Sequence, residues 1–196
     1  MNKVYHRTPP AMTSTPPLVF LSCGGTIEKI YQPNTGQLTF NESHISDWVS
    51  QFRIAQPVTT EVVMLIDSLE MTEAHRETLA NAVAASQSSQ IVILHGTDTM
   101  VESAKRVMLQ CRDDQTIVFT GAMVPASQAQ SDAFFNIGLA TGAAQTLPPG
   151  VYIAMSGQIF PADGVQKNKT LGRFESTESD NGTLRITKRK QTGGFR

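Results

Sequence analysis

IVILHGTDTMVESAKRVMLQC, residues 91–111, is the stretch whose reading decides the fold. Its first four residues form an unbroken apolar run rich in β-branched side chains, the pattern of a strand buried on both faces. His95-Gly96 closes the run, and Gly96 lets the chain turn. From Thr99 to Cys111 the apolar residues Met100, Ala104, Val107, Met108 and Cys111 recur at helical spacing. Strand, glycine-bearing turn and helix together make half of a βαβ unit.

The same alternation extends in both directions. Upstream, Thr72 precedes a helix running to about Gln87, with Glu73 in its first turn and Ala74, Leu79 and Val83 on one face. EVVMLI (61–66) is a strand, 42–52 a helix, and LVFLSC (18–23) a strand ended by Gly24-Gly25. Between them, residues 26–40 carry Pro33, Asn34 and Gly36, turn chemistry that suits a hairpin. Downstream, TIVFT (116–120) ends at Gly121, a helix spans Asp132 to Gln145, and VYIAM (151–155) is a further strand. After Gly157 the helical period is lost, and Gly164, Gly172 and Asn181-Gly182 point to turns and short strands. The expected fold is α/β: one doubly wound, mainly parallel sheet, helices on both faces, and a hairpin-rich C-terminal part. Residues 1–17 hold four of the ten prolines and read as a flexible arm, leaving 18–196 as a single domain.

Composition narrows the function classes. Sixteen basic residues against seventeen acidic ones give a net charge of -1, without the concentrated basic face that nucleic acid requires. No apolar run reaches membrane-spanning length, and the first 17 residues lack the apolar core of a signal peptide, so the cytoplasm is the expected compartment. His6, His44, His75 and His95 are scattered and no CxxC pair occurs; neither a metal nor another cofactor is expected. Cys23 and Cys111 lie in apolar settings and read as small buried hydrophobes, with a single disulfide left open.

In a doubly wound sheet, ligands bind beyond the carboxyl ends of the strands. Three polar segments fall there: Gly24-Gly25-Thr26, Asp67-Ser68, and His95-Gly96-Thr97-Asp98. CGGTI (23–27) fits neither GxGxxG nor GxxxxGK[ST]. It serves equally as a tight turn, as an anion cradle, or as a mount for a Thr26 nucleophile beside oxyanion-holding amides. In HGTDT (95–99), Asp98 or Thr99 suits a helix N-cap, yet two hydroxyls and a carboxylate exceed what a cap needs and suit a proton relay. GAMVPASQAQSDAFFN (121–136) would close the same crevice, with Asp132 as a cap and Met123 and Phe135 as core residues.

GGTI, HGTDTMVESA and TGAMVPASQAQSDAFFN, in this order on alternating elements, resemble the L-asparaginase family, bacterial-type asparaginase and glutaminase-asparaginase. The likeness runs from about Leu18 to about Ser176. It implies an amidohydrolase that converts L-asparagine to L-aspartate and ammonia through an acyl-enzyme on Thr26. It further implies that Tyr31 assists the nucleophile, and that Thr97, Asp98 and Lys167 of DGVQKNKTLGRFES (163–176) form a relay. Gly25, Ser68, Leu69, Thr97 and Asp98 would line the substrate, Ser68 taking the α-carboxylate and Asp98 the α-ammonium. Leu69 stands where longer members often have Gln. Both Tyr31 and Lys167 offer themselves as the general base, since either can be tuned by its surroundings. Family members continue into a smaller C-terminal domain and form homo-oligomers; the chain resembles the N-terminal domain alone, and a dimer or tetramer is expected. The asparaginase-like component that makes glutaminyl-tRNA in archaea is a related resemblance that carries further domains. A non-catalytic α/β module binding an amino acid or anion is the alternative class; it needs no nucleophile-and-relay set.

Overall fold

Each central strand sends alternate side chains to opposite faces of the sheet, and both faces are apolar. In β5 (Gln90–Leu94), Ile91 and Ile93 join one core while Val92 and Leu94 join the other. β1 (Leu18–Gly24) behaves likewise, with Leu21 and Cys23 on one side and Leu18 and Phe20 on the other. Burial on two faces is why these runs show no alternation in sequence. Each fully buried Leu, Ile or Phe contributes about 1.5–3 kcal/mol.

A computed structural model describes residues 16–177. The arm expected over 1–17 lies, but for Pro16 and Pro17, outside the described residues, as does the Asn181-Gly182 turn. One six-stranded sheet dominates, in the order β4 (Val58–Ile66), β1, β5, β6 (Thr116–Thr120), β7 (Gly150–Met155), β8 (Gln158–Pro161). The first five strands are parallel, and β8 returns antiparallel to β7. Phe20 lies opposite Thr60 on one side and Val92 on the other. α2 (Glu73–Ala85) and α3 (Met100–Met108) cover one face. The other is covered by α1 (Ile45–Gln51) and the alanine-rich α4 (Ala133–Thr146). No helix among the described residues is long and apolar enough to cross a membrane.

From β1 the chain moves outward to β4, then crosses back to β5. The strand order therefore reverses between β1 and β5, and it is beyond the carboxyl ends of such a pair that ligands bind in doubly wound sheets. The doubly wound expectation is met, and the strands extend a few residues beyond it, β4 beginning at Val58 rather than Glu61. Residues 30–39 form the expected hairpin, β2 (Ile30–Gln32) against β3 (Gln37–Thr39). A two-residue turn, Ser156-Gly157, joins β7 to β8 with φ of 53° and 80°, the backbone a tight hairpin demands. A last hairpin, β9 (Val165–Asn168) with β10 (Arg173–Ser176), brings Lys167 back to the segment that follows β5.

Several local expectations are corrected. Asp132 occupies the N-cap position of α4 without a side-chain cap bond; its carboxylate instead accepts the backbone N–H groups of Met123 and Val124, both at 3.0 Å, and folds that loop back on itself. Met123 and Phe135 are exposed rather than core, because α4 buries its alanine face and turns Phe135 outward. Both cysteines are free; Cys23 is buried and Cys111 only partly so.

Candidate active site

Three chain segments nest at the strand ends because glycines stand at their closest contacts. Gly24 and Gly25 leave β1 with φ of 80° and 77°, a region disfavoured for other residues. A Cβ on Gly25 would lie 2.3 Å from the Gly96 nitrogen, and one on Gly96 would lie 2.6 Å from the Ser68 Cβ. The Gly25 N–H also donates to the Ile66 carbonyl at 3.0 Å. The loop after β1 is thus packed backbone to backbone against those after β4 and β5, while Gly96 leaves room for the Ser68 side chain.

Thr26 opens a short 3-10 turn, Thr26–Glu28, that follows this contact. It is half-buried, and among the described residues its hydroxyl has no hydrogen-bond partner. Ser68 is buried in a similar turn, Ser68–Glu70, capped by Asp67, whose carboxylate accepts the Leu69 N–H at 2.9 Å. Leu69 itself is 67% exposed. Burial pushes the Asp67 carboxyl up, but the Lys29 ammonium at 2.5 Å and the Leu69 amide outweigh it and hold it below its ordinary value.

The side chains of HGTDT are all engaged; Thr99 stands at the N-cap position of α3, but no side chain makes a cap bond. Lys167 Nζ donates to Thr97 Oγ1 and to Asp98 Oδ1, both at 2.7 Å. Thr99 Oγ1 donates to the Ser68 carbonyl at 2.7 Å, and α3 has no side-chain cap bond. The Lys167 side chain is 9% exposed, so it is not part of a solvated charge run; Lys169 is exposed. Asp98, at 37% exposure, keeps one side toward solvent. His95 is fully buried, and burial holds its imidazole at about 4, against a usual 6.5. Its neutral ring donates through Nδ1 to the Gly96 carbonyl at 2.7 Å, bracing the turn. Tyr31 projects from β2 at 58% exposure, and among the described residues no hydrogen bond joins its hydroxyl to Thr26. No cluster suited to a metal ion occurs among the described residues.

Some contributors carried no legible signal. Glu28, 1% exposed, accepts from Ser22 Oγ at 2.6 Å, Ser43 Oγ at 2.7 Å and the His44 N–H at 2.9 Å. Asn136 donates to the Gly121 carbonyl and accepts the Ser156 N–H, both at 3.0 Å, joining the ends of β6 and β7. The partners of both lie too far along the chain for any local pattern to announce them.

Fold and site together define a doubly wound α/β protein whose strand ends gather a free threonine hydroxyl and a paired ammonium and carboxylate. A family model, "Asparaginase, N-terminal", matches residues 17–192, and the chain belongs to the asparaginase family. It is 30% identical over 166 residues to a probable periplasmic L-asparaginase of Haemophilus influenzae, covering 79% of this chain and 47% of that one. It is 28% identical over 169 residues to L-asparaginase 2 of Escherichia coli, covering 82% and 49%. The archaeal resemblance is present too: a glutamyl-tRNA(Gln) amidotransferase component of Haloquadratum walsbyi is 32% identical over 147 residues, covering 72% and 33%. The solved structure of the thermostable L-asparaginase from Thermococcus kodakarensis superposes with a TM-score of 0.71 at 27% identity, covering 82% of this chain and 51% of that one. The chain thus spans about half the length of these asparaginases, and a third of the amidotransferase component.

Proposed function

We propose that this chain is an amidohydrolase that cleaves the side-chain amide of L-asparagine, with Thr26 as the nucleophile. The observation that carries the reading is the contact of Lys167 with both Thr97 and Asp98, residues about 70 positions away, beside the strand end that bears Thr26. A binding module needs no such group; an acyl-transfer site needs a proton carrier near a free hydroxyl.

Thr26 Oγ attacks the carboxamide carbon and gives up its proton, the C–N bond breaks, and ammonia leaves carrying a proton from the relay. Water then attacks the resulting ester, releasing aspartate and returning a proton to Thr26. Gly25 and its neighbours bring backbone close to the developing oxyanion. Ser68 receives the α-carboxylate beside Leu69, and Asp98 receives the α-ammonium on its exposed side. Tyr31 reaches Thr26 when substrate draws its hairpin inward. The expected cytoplasmic compartment and homo-oligomeric state belong to the same proposal and are read by fractionation and light scattering.

Ammonia release from asparagine by the purified chain, compared with Thr26→Ala, tests the reading. The variant deletes the nucleophile and little volume, so its rate should fall on the order of 10³-fold or more with the fold intact. A variant retaining a tenth of the parent rate would remove Thr26 from the mechanism.

A further inference from the structure

The segment that carries Thr26 is tied at every residue except the threonine hydroxyl. The Lys29 N–H donates to the Thr26 carbonyl, and the Ala126 N–H to the Ile27 carbonyl, both at 3.1 Å. The Glu28 carboxylate is buried and receives three donors, while the Lys29 ammonium reaches Asp67 and the Lys29 carbonyl accepts from Ser127 Oγ at 3.2 Å. Two of the Glu28 donors, Ser43 and His44, lie where the chain leaves the β2–β3 hairpin that bears Tyr31 and enters α1. Glu28 therefore closes the base of that hairpin and joins it to β1 through Ser22. The Lys29 ammonium lies 5.5 Å from the centre of the Phe40 ring, which directly follows β3 at the same base, and couples the Thr26 turn to the turn containing Ser68.

We propose that Glu28 and Lys29 are positioning residues for this reaction: a two-sided clasp that sets the Thr26 turn, and the hairpin bearing Tyr31, against the Ser68 turn. The proposal rests on the Thr26 reading. Neither side chain bonds the Thr26 hydroxyl; both act through the backbone that follows it, Glu28 also tying that backbone to Ser22 in the strand before it. Glu28 has no cationic partner among the described residues. Only its three hydrogen bonds offset the desolvation of a buried carboxylate, so its geometry is held by those bonds together. Lys29 donates to Asp67 Oδ2 while Leu69 N–H donates to Asp67 Oδ1, so one carboxylate spans both turns.

A misplacement of roughly 1 Å at the reacting atoms costs on the order of 10²-fold in rate. Glu28→Gln and Lys29→Met should therefore lower kcat for asparagine by about 10-fold or more. In Glu28→Gln, KM should hold within about 3-fold, because Ser68 and Asp98 are untouched. Lys29→Met should also raise KM, because the Ser68 turn loses its tie. Amide hydrogen exchange over 26–40 should quicken in both variants while α3 stays protected, and Lys29→Arg should restore both readouts. If Glu28→Gln does not fold, Lys29→Met on the partly exposed side of the clasp decides the matter alone. Folded variants with kcat within about 2-fold of the parent, or with unchanged exchange over 26–40, would overturn the clasp. Activity persisting in Thr26→Ala would overturn the nucleophile instead, leaving exchange to judge the clasp.

Discussion

Replacing Lys167 with Met removes the ammonium and keeps most of the volume. The structure says what is lost: two hydrogen bonds of 2.7 Å, to Thr97 Oγ1 and Asp98 Oδ1, from a nitrogen on a side chain 9% exposed. A hydrogen bond to a charged group is worth about 1.5–3 kcal/mol when buried. Asp98 is 37% exposed, so water recovers part of its solvation, and the net stability loss should be nearer ~1–2 kcal/mol. For a domain of this size that is a fall of roughly 2–8 °C in Tm. Loss of a proton-transfer group costs about 10²–10⁴ in rate, or roughly 3–5 kcal/mol of barrier. The catalytic effect should therefore exceed the stability effect by a wide margin. Urea unfolding and ammonia release measured on the same preparation separate the two. A folded Lys167→Met with kcat within about 3-fold of the parent would refute the relay. So would a rate loss that merely tracks the unfolded fraction.

Other outcomes follow from neighbouring groups. Gly25→Ala meets both a positive φ and a Cβ 2.3 Å from the Gly96 nitrogen, whereas Gly36→Ala, at φ 69°, has nothing within 4 Å. The first should cost more than ~3 kcal/mol in urea unfolding and the second only ~1–2, the strain alone; equal losses would contradict the nested-loop packing. His95 is held at about 4, against 6.5 when unfolded, so between these values the unfolded chain binds the extra proton. The stability that His95 contributes is full above pH 6.5 and falls as pH drops toward 4, by about 3 kcal/mol. His95→Gln should flatten unfolding curves in that window, and parallel slopes in variant and parent would show that His95 is not responsible. With Ser68 and Asp98 fixing one end as proposed, asparagine should be preferred over glutamine on the order of 10²-fold, because an added methylene shifts the amide by about 1 Å. A kcat/KM ratio within ~3 would contradict that.

The strands were legible because burial on two faces writes itself as an unbroken apolar run, as in IVIL and TIVFT, and α3 because its period survives in Met100, Ala104 and Val107. Position at the strand ends and the GGTI and HGTDT motifs likewise marked Thr26, Ser68, Thr97 and Asp98. Lys167 was a different matter: in sequence, KNK is as good a solvated charge run as a site. Only the returning β9–β10 hairpin shows that the first lysine turns inward and the second outward. Thr99 and Asp132 do stand at the N-cap positions of α3 and α4, but neither side chain makes the cap bond: Thr99 bonds the Ser68 carbonyl and Asp132 the Met123–Val124 loop. Glu28 and Asn136 were invisible beforehand, because a buried polar side chain is explained by its donors and acceptors, here drawn from other elements. Periodic burial is a property of neighbours along the chain, so the sequence alone determined the layers and the edge where a ligand would sit. Polar satisfaction is settled between atoms brought together by folding, so only the tertiary structure decided which side chains at that edge are paired and which hydroxyl has no partner among the described residues.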